Sequence, residues 1–181
     1  RYKADDLVYL LDNADVEAIF FQSCYAMRIW EIRDRLPKIK LFVQVDDGTE
    51  GLLKGAIDYE RALRSLDPAV RIQRDLSSDY LFYTAGTTGL PKGVVHEIGA
   101  FSSYFIGQVS FRFGLRPPTQ IEEYRELLTE INGSVVTLPA CPLMHETGSW
   151  LGCFLPMLSG GSIVMSSSRG FNPDVCLNLV E

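Results

Sequence analysis

Eleven consecutive residues carry the chemistry that can be read most directly from this chain: Tyr83, Thr84, Ala85, Gly86, Thr87, Thr88, Gly89, Leu90, Pro91, Lys92 and Gly93. Three glycines, three threonines and a lysine are concentrated there, directly after the apolar-rich run Tyr80-Leu81-Phe82-Tyr83. Glycine lets backbone approach an anion with no Cβ in the way and reaches φ > 0. Successive N–H groups can then converge into an anion-binding nest. The threonine hydroxyls add donors, and Lys92 adds a compact, mobile positive charge. The composition suits a polyphosphate ligand better than a bland connection between strands.

The loop is not the common nucleotide-binding signature. That pattern places Gly immediately before Lys and Ser or Thr immediately after it. Here Pro91 precedes Lys92 and Gly93 follows. The usual magnesium-ligand hydroxyl is missing, and Pro91 removes one backbone donor. A small GTPase or conventional P-loop ATPase is excluded on those two residues.

The elements that must hold this loop alternate along the chain. Asp5 and Asp6 begin a helix carrying Leu7, Leu10 and Leu11. Val16–Phe21 reads as a strand, and Ser23 as the cap of a helix through Met27, Ile29, Trp30 and Ile32 that ends before Pro37. Leu41–Val45 is a strand closed by the turn Asp46-Asp47-Gly48. A short helix is expected near 58–66. Strands Tyr80–Thr84 and Gly93–His96 flank the glycine loop. A helix near 98–112 puts Phe101, Tyr104, Phe105 and Val109 on one face, read first as core and second as the wall of an apolar pocket. The polar stretch 114–133 reads as a surface excursion with a helix from Gln120 to Ile131. A strand from Val135 to Leu138 follows, then a helix through Trp150, Leu151, Phe154 and Leu155, a strand Ile163–Met165, and a last helix capped by Asn172 with Pro173 at its first position. The alternation predicts an α/β layered domain with a largely parallel sheet flanked by helices, residues 1–181 forming a single α/β subdomain.

Composition bounds the partners. The 181 residues are 46% hydrophobic and 22% charged, with a net charge of −6, so the chain is globular in composition. An acidic balance argues against nucleic-acid binding, which depends on Lys and Arg neutralising phosphates. Cys24, Cys141, Cys153 and Cys176 are widely spaced, without a CxxC pair, and His96 and His145 do not fall at ligand spacing to them. No metal site is expected, and the thiols read as buried and free in a reducing, cytoplasmic compartment. The uncharged stretch from Thr147 to Ser168 is broken by Pro156 and Ser159-Gly160-Gly161. It reads as helix, turn and strand, not as a transmembrane segment; peripheral membrane contact is compatible with the sequence.

The motifs resemble those of the adenylate-forming superfamily: acyl-CoA synthetases, aryl-CoA ligases, luciferases and peptide-synthetase adenylation domains. Tyr83–Val94 is similar to that family's phosphate loop, with Ala85 where Ser is usual, which removes one hydroxyl. Pro142-Leu143-Met144-His145 with Gly148 resembles its Pro-Leu-Phe-His-x-x-Gly segment. Gly160-Gly161 before a strand and Phe171-Asn172-Pro173 resemble its Gly-Gly strand and Phe-Asp-Pro helix start. The texture is closest to the AMP-forming acyl-CoA synthetases. The likeness covers nearly the whole chain and implies an excerpt of the large N-terminal domain of an AMP-forming ligase.

The resemblance implies a reaction in two halves. A carboxylate attacks the α-phosphate of Mg-ATP to give acyl-adenylate and pyrophosphate; the thiol of coenzyme A then displaces AMP. It implies that Thr84, Ala85, Gly86, Thr87, Thr88, Gly89 and Lys92 hold the outer phosphates, with Lys92 and Thr87 the catalytic contributors, by neutralising and orienting the leaving group. His145 would lie beside the acyl carboxylate, with Thr147, Gly148 and Trp150 on the substrate side. Trp150, Leu151 and Phe154 stay open between pocket wall and core packing, and His96 is read as structural. The family's magnesium-holding Glu, ribose-binding Asp, hinge and C-terminal lysine are not found in these residues. The expectation is therefore an acid–thiol ligase whose co-substrates are ATP, a hydrophobic carboxylic acid and coenzyme A. The magnesium ligand would be supplied by the remainder of its own chain, and residues 1–181 alone would be inactive. An adenylation domain loading a carrier protein and a non-catalytic nucleotide-binding module remain as alternatives.

Overall fold

The computed structural model describes residues 2–84, 89–166 and 170–180. Their contacts gather into two units: Arg1–Gln73 with Ala85–Gly93, and Arg74–Thr84 with Val94–Glu181.

In the first unit, α1 (Ala4–Asn13) starts after Lys3, whose backbone N–H donates to the Asp6 carboxylate at 2.8 Å. This one-way cap satisfies the N–H of the residue that precedes the helix. β1 (Ala18–Gln22), β2 (Leu41–Val45) and β3 (Ile57–Asp58) form a parallel sheet in that order. Ala18 pairs with Leu41 and Gln22 with Val45. Between β1 and β2 runs α2 (Ala26–Ile32), flanked by 3₁₀ turns at Ser23–Tyr25 and Arg33–Arg35. A helical crossover of this kind is what parallel strands require. Phe21, Ala26, Ile29, Ile32, Leu36 and Ile39 form the core, with Leu7, Val8 and Leu11 of α1 packed against it. α3 (Tyr59–Ser65) follows, its Arg61 N–H donating to Asp58 at 2.7 Å.

Ser23 departs from its expected role. It caps nothing; its hydroxyl donates to the Val45 carbonyl at 3.3 Å and accepts from Gln44 Nε2 at 2.9 Å. A fully buried hydroxyl beside a buried amide gains more from that side chain than from a helix end. β3 is an element that two residues of sequence could not announce.

In the second unit, β4 (Asp79–Thr84) and β5 (Lys92–Glu97) form a two-stranded sheet. α4 (Ile98–Arg112) follows at once, with Gly99 N–H bonded to the Leu76 carbonyl at 2.8 Å. α5 (Ile121–Ile131) ends at Asn132 in the left-handed conformation, a common helix stop. Where the stretch 114–133 was expected to ride on the surface, α5 buries Leu127 and Ile131 against Phe105 and Val109 of α4. β6 (Val136–Thr137) pairs in parallel with β7 (Ser162–Ile163). Between them α6 (Glu146–Ser149), a π turn (Trp150–Phe154) and α7 (Leu155–Leu158) run without a break. α8 (Pro173–Asn178) is capped as expected, Asn172 accepting from the N–H groups of Asp174 and Val175.

The uncharged stretch after Thr147 thus resolves into helix, Gly-Gly turn and strand, and no described helix is long and apolar enough to cross a membrane. Cys153 and Cys176 are only partly covered, and Cys24 and Cys141 are exposed rather than buried. Both fall in short connections at the ends of elements, where no packed layer covers them.

Candidate functional site

The glycine loop joins two paired strands. Thr84 closes β4, Lys92 opens β5, and the seven residues from Ala85 to Pro91 connect them. Ala85, Gly86, Thr87 and Thr88, four of the expected phosphate ligands, lie outside the described residues. Gly89 has φ +125°, a conformation that L side chains rarely adopt, and a Cβ built there would meet nothing within 4 Å. The glycine is required by the backbone and not by crowding. Thr84, Gly89 and Lys92 are all exposed. Beyond the loop, Tyr9 of α1 donates its hydroxyl to the Pro91 carbonyl at 3.3 Å. This tether fixes the residue before Lys92 and was not visible in the sequence, because 82 positions separate the partners.

The expected substrate-side residues share one turn in the second unit. His145 is the residue before α6 and its side chain is exposed; its N–H donates to the Pro142 carbonyl at 3.0 Å and its carbonyl accepts from Ser149 N–H at 2.9 Å. Thr147 is exposed and Gly148 is buried. A Cβ on Gly148 would stand 2.2 Å from the Pro142 carbonyl oxygen. Only glycine lets the Cys141–His145 loop fold down onto the helix that follows it. That contact accounts for the spacing between the Pro-Leu-Met-His run and its glycine.

Trp150 begins the π turn, an irregularity found often at functional sites. It enters an aromatic nest. Its ring lies 5.3 Å from Phe101 and 5.7 Å from Phe105, edge to face in both cases. Phe101 in turn meets Tyr80 at 5.2 Å and Phe154 at 5.8 Å. Phe105 and Val109 are 2% and 0% exposed, whereas Tyr104 is 59% exposed. The α4 face is therefore core along most of its length, with Tyr104 just outside it. Leu151 is exposed and Phe154 half-buried.

His96, read from the sequence as structural, joins this nest. Its ring is 5.2 Å from Trp150, edge to face. Its Nε2 lies 3.6 Å from Oε1 of Glu146, the first residue of α6. That distance permits ionic attraction but exceeds a hydrogen bond. His96 Nε2 and Trp150 Nε1 are both buried without a hydrogen-bond partner. Buried polar atoms are rarely left so, which marks the place as one where packing alone did not decide the residues. The sequence signal for His96 was slight: a polar residue at an inward position of a strand.

Among the described residues no group of three or more His, Cys, Asp or Glu is gathered as metal ligands would be. A shallow cavity of about 250 Å³ opens between Pro139–Leu143 and the segment carrying Met165, Phe171 and Cys176. It adjoins the exposed loop that carries His145.

The whole chain, residues 1–181, matches the family model described as AMP-binding enzyme. It is 35% identical over 156 residues to a medium-chain acyl-CoA ligase, Mig, of Mycobacterium avium, which covers 83% of this chain and 27% of that ligase. It is 32% identical over 171 residues to the 3-oxocholest-4-en-26-oate–CoA ligase of Rhodococcus rhodochrous, covering 91% and 30%. Among solved structures, the acetoacetyl-CoA synthetase of Streptomyces lividans superposes with a TM-score of 0.70 at 17% identity, over 94% of this chain and 25% of that one. An anthranilate CoA ligase in complex with anthranoyl-AMP gives 0.68 at 20%, over 93% and 29%. The chain thus spans less than a third of these relatives' lengths. Its parallel strands and interleaved helices are those of the N-terminal ligase fold, and the chain belongs to the AMP-binding enzyme family.

Proposed function

We propose that this chain carries the ATP-phosphate loop and part of the acyl site of an AMP-forming ligase that converts a hydrophobic carboxylic acid to its coenzyme A thioester. The observation that supports it most is the placement of the glycine-threonine run. It connects two paired strands, with Lys92 as the first residue of the strand that follows and Gly89 in a glycine-only conformation.

In this reading Thr84, Ala85, Gly86, Thr87, Thr88 and Gly89 offer hydroxyl and amide donors to the β- and γ-phosphates of ATP. The Lys92 ammonium offsets the charge that grows on pyrophosphate as it leaves. Donors fixed before the reaction stabilise developing charge without reorganising. The Tyr9 tether on Pro91 supports such fixing. Magnesium would neutralise the phosphates further. His145, at the exposed edge of α6, orients the acyl carboxylate, with Thr147 and Gly148 beside it and Trp150 lining the apolar side. The acid is hydrophobic: the relatives' names specify a medium-chain acyl group and 3-oxocholest-4-en-26-oate, and Trp150, five residues after His145, sits among aromatic rings. Coenzyme A is the acceptor.

The test uses the complete ligase and follows pyrophosphate release from ATP that depends on an added carboxylic acid. Lys92→Ala should slow that release by about 10²-fold, the scale of losing one leaving-group donor. It should leave the melting temperature within about 2 °C, because Lys92 is exposed. Unchanged release in the variant would remove the catalytic assignment. Sustained turnover by residues 1–181 alone would overturn instead the expectation that these residues are inactive by themselves.

A further inference from the structure

His96 stands in the second unit with a buried Nε2 that has no hydrogen-bond partner, 3.6 Å from the Glu146 carboxylate. Both side chains are about two-thirds covered, at 30% and 33% exposure. The imidazole is held from its other sides by rings: Tyr80 at 6.4 Å, Phe101 at 5.8 Å and Trp150 at 5.2 Å. Aromatic neighbours fix its plane but offer Nε2 no acceptor. The carboxylate is the group within ionic reach.

Glu146 is the first residue of α6, and His145 is the residue before it. The His145 backbone is already held by Pro142 and Ser149, while its side chain is exposed. Whatever fixes Glu146 fixes the direction in which the chain enters α6, and with it where the His145 imidazole can reach. His96 is the fifth residue of β5, the strand that leaves the glycine loop.

We propose that His96 is a positioning residue: by holding the Glu146 carboxylate it sets the start of α6, and through it the aim of His145 at the acyl carboxylate. The proposal rests on the functional reading above, and it assigns the contact to the handling of the acid and not of ATP. The attraction operates when Nε2 carries a proton, as it does in the imidazolium and in one neutral tautomer. A sub-ångström approach would convert 3.6 Å into a hydrogen bond. The pair is therefore poised to tighten when a substrate oxygen draws the α6 entrance inward.

The experiment uses the complete ligase with decanoate as the probe acid. His96→Ala and Glu146→Gln should each raise the KM for decanoate roughly 3- to 10-fold, leaving the KM for ATP within about 2-fold. His96→Gln, which keeps an N–H donor, should recover most of the loss. His96→Ala with Glu146→Ala should be no worse than His96→Ala alone, since both remove one interaction. Equal changes in both KM values, or additive losses in the double variant, would overturn the proposal. A second readout does not require turnover. In urea denaturation the same two alanine changes should be non-additive, and additivity there would overturn the contact whatever the kinetics give. A wild-type ligase that releases no pyrophosphate with decanoate or any other acid defeats the functional reading instead; the denaturation cycle then decides whether the contact exists.

Discussion

The two units differ in how their buried side-chain nitrogens are met. In the first, Gln44 is 3% exposed and every part of its amide is used. Nε2 donates to Ser23 Oγ and to the Gly51 carbonyl, both at 2.9 Å, and Oε1 accepts from the Leu53 N–H at 2.8 Å. Ser23 passes the chain on to the Val45 carbonyl. This network ties the end of β2 to the loop that leads to β3, inside an aliphatic core. In the second unit the nitrogens of His96 and Trp150 lie among aromatic rings without hydrogen-bond partners, beside a core that is mostly aliphatic. A satisfied buried network specifies a structure, whereas an unsatisfied polar atom costs free energy. The first arrangement is what stability alone would select. The second is what a site retains when function sets the residues.

The largest test of this contrast strikes the backbone under the second unit's site. Gly148→Ala would place a methyl 2.2 Å from the Pro142 carbonyl oxygen. Because backbone cannot give way like a flexible side chain, it should cost about 3 kcal/mol, the upper end of the overpacking range, read as a fall in the urea midpoint. A midpoint equal to that of wild type would mean that the Cys141–His145 loop does not rest on α6.

A pair of substitutions addresses the polar groups directly. Gln44→Leu should destabilise by about 1–3 kcal/mol, since Ser23 Oγ and the Leu53 N–H lose their buried partner. His96→Phe should stay within about 0.5 kcal/mol of wild type or gain slightly, since the ring keeps its aromatic neighbours and an unpartnered nitrogen is removed. It should nonetheless impair handling of the acid. If His96→Phe proved as costly as Gln44→Leu, the contrast between the two units would fail.

The smallest effect sharpens the same picture at the surface of the first unit. Asp47 accepts from the Thr49 hydroxyl, and from the Cys24 N–H at 3.3 Å and the Thr49 N–H at 3.2 Å. The Thr49 hydroxyl is the main reason its carboxyl falls to about 2 from an ordinary 3.8. A carboxyl depressed in the folded state contributes stability above its unfolded value and loses it as pH falls through the folded one. The contribution should therefore be present above about pH 4 and lost as pH falls through about 2. Asp47→Asn should flatten the stability profile across that window and change little at pH 7 beyond the lost bonds. An unaltered acid profile would show that other carboxylates govern it.

Much of the fold was legible because local rules and tertiary packing agree. β2 occupies Leu41–Val45 and α4 Ile98–Arg112, as the apolar runs and helical spacing required. Asn172 caps α8 as its type and the following proline required. Where they disagree, the packed state decides. Ser23 is a good cap by type, yet the buried amide of Gln44 claims its hydroxyl. β3 is too short to carry a period, and the 114–133 stretch reads as polar although Leu127 and Ile131 of its helix reach the core.

Residue types and short spacings were enough to reveal the glycine loop, the alternation of helix and strand, and the family. That Tyr9 reaches Pro91, and that Gly148 must be small to pass Pro142, emerged once the chain had packed. Packing alone brought His96, fifty positions before Glu146, to that carboxylate. Local propensity acts over one or two turns of chain, whereas these contacts exist only once strands and helices remote in sequence have packed together.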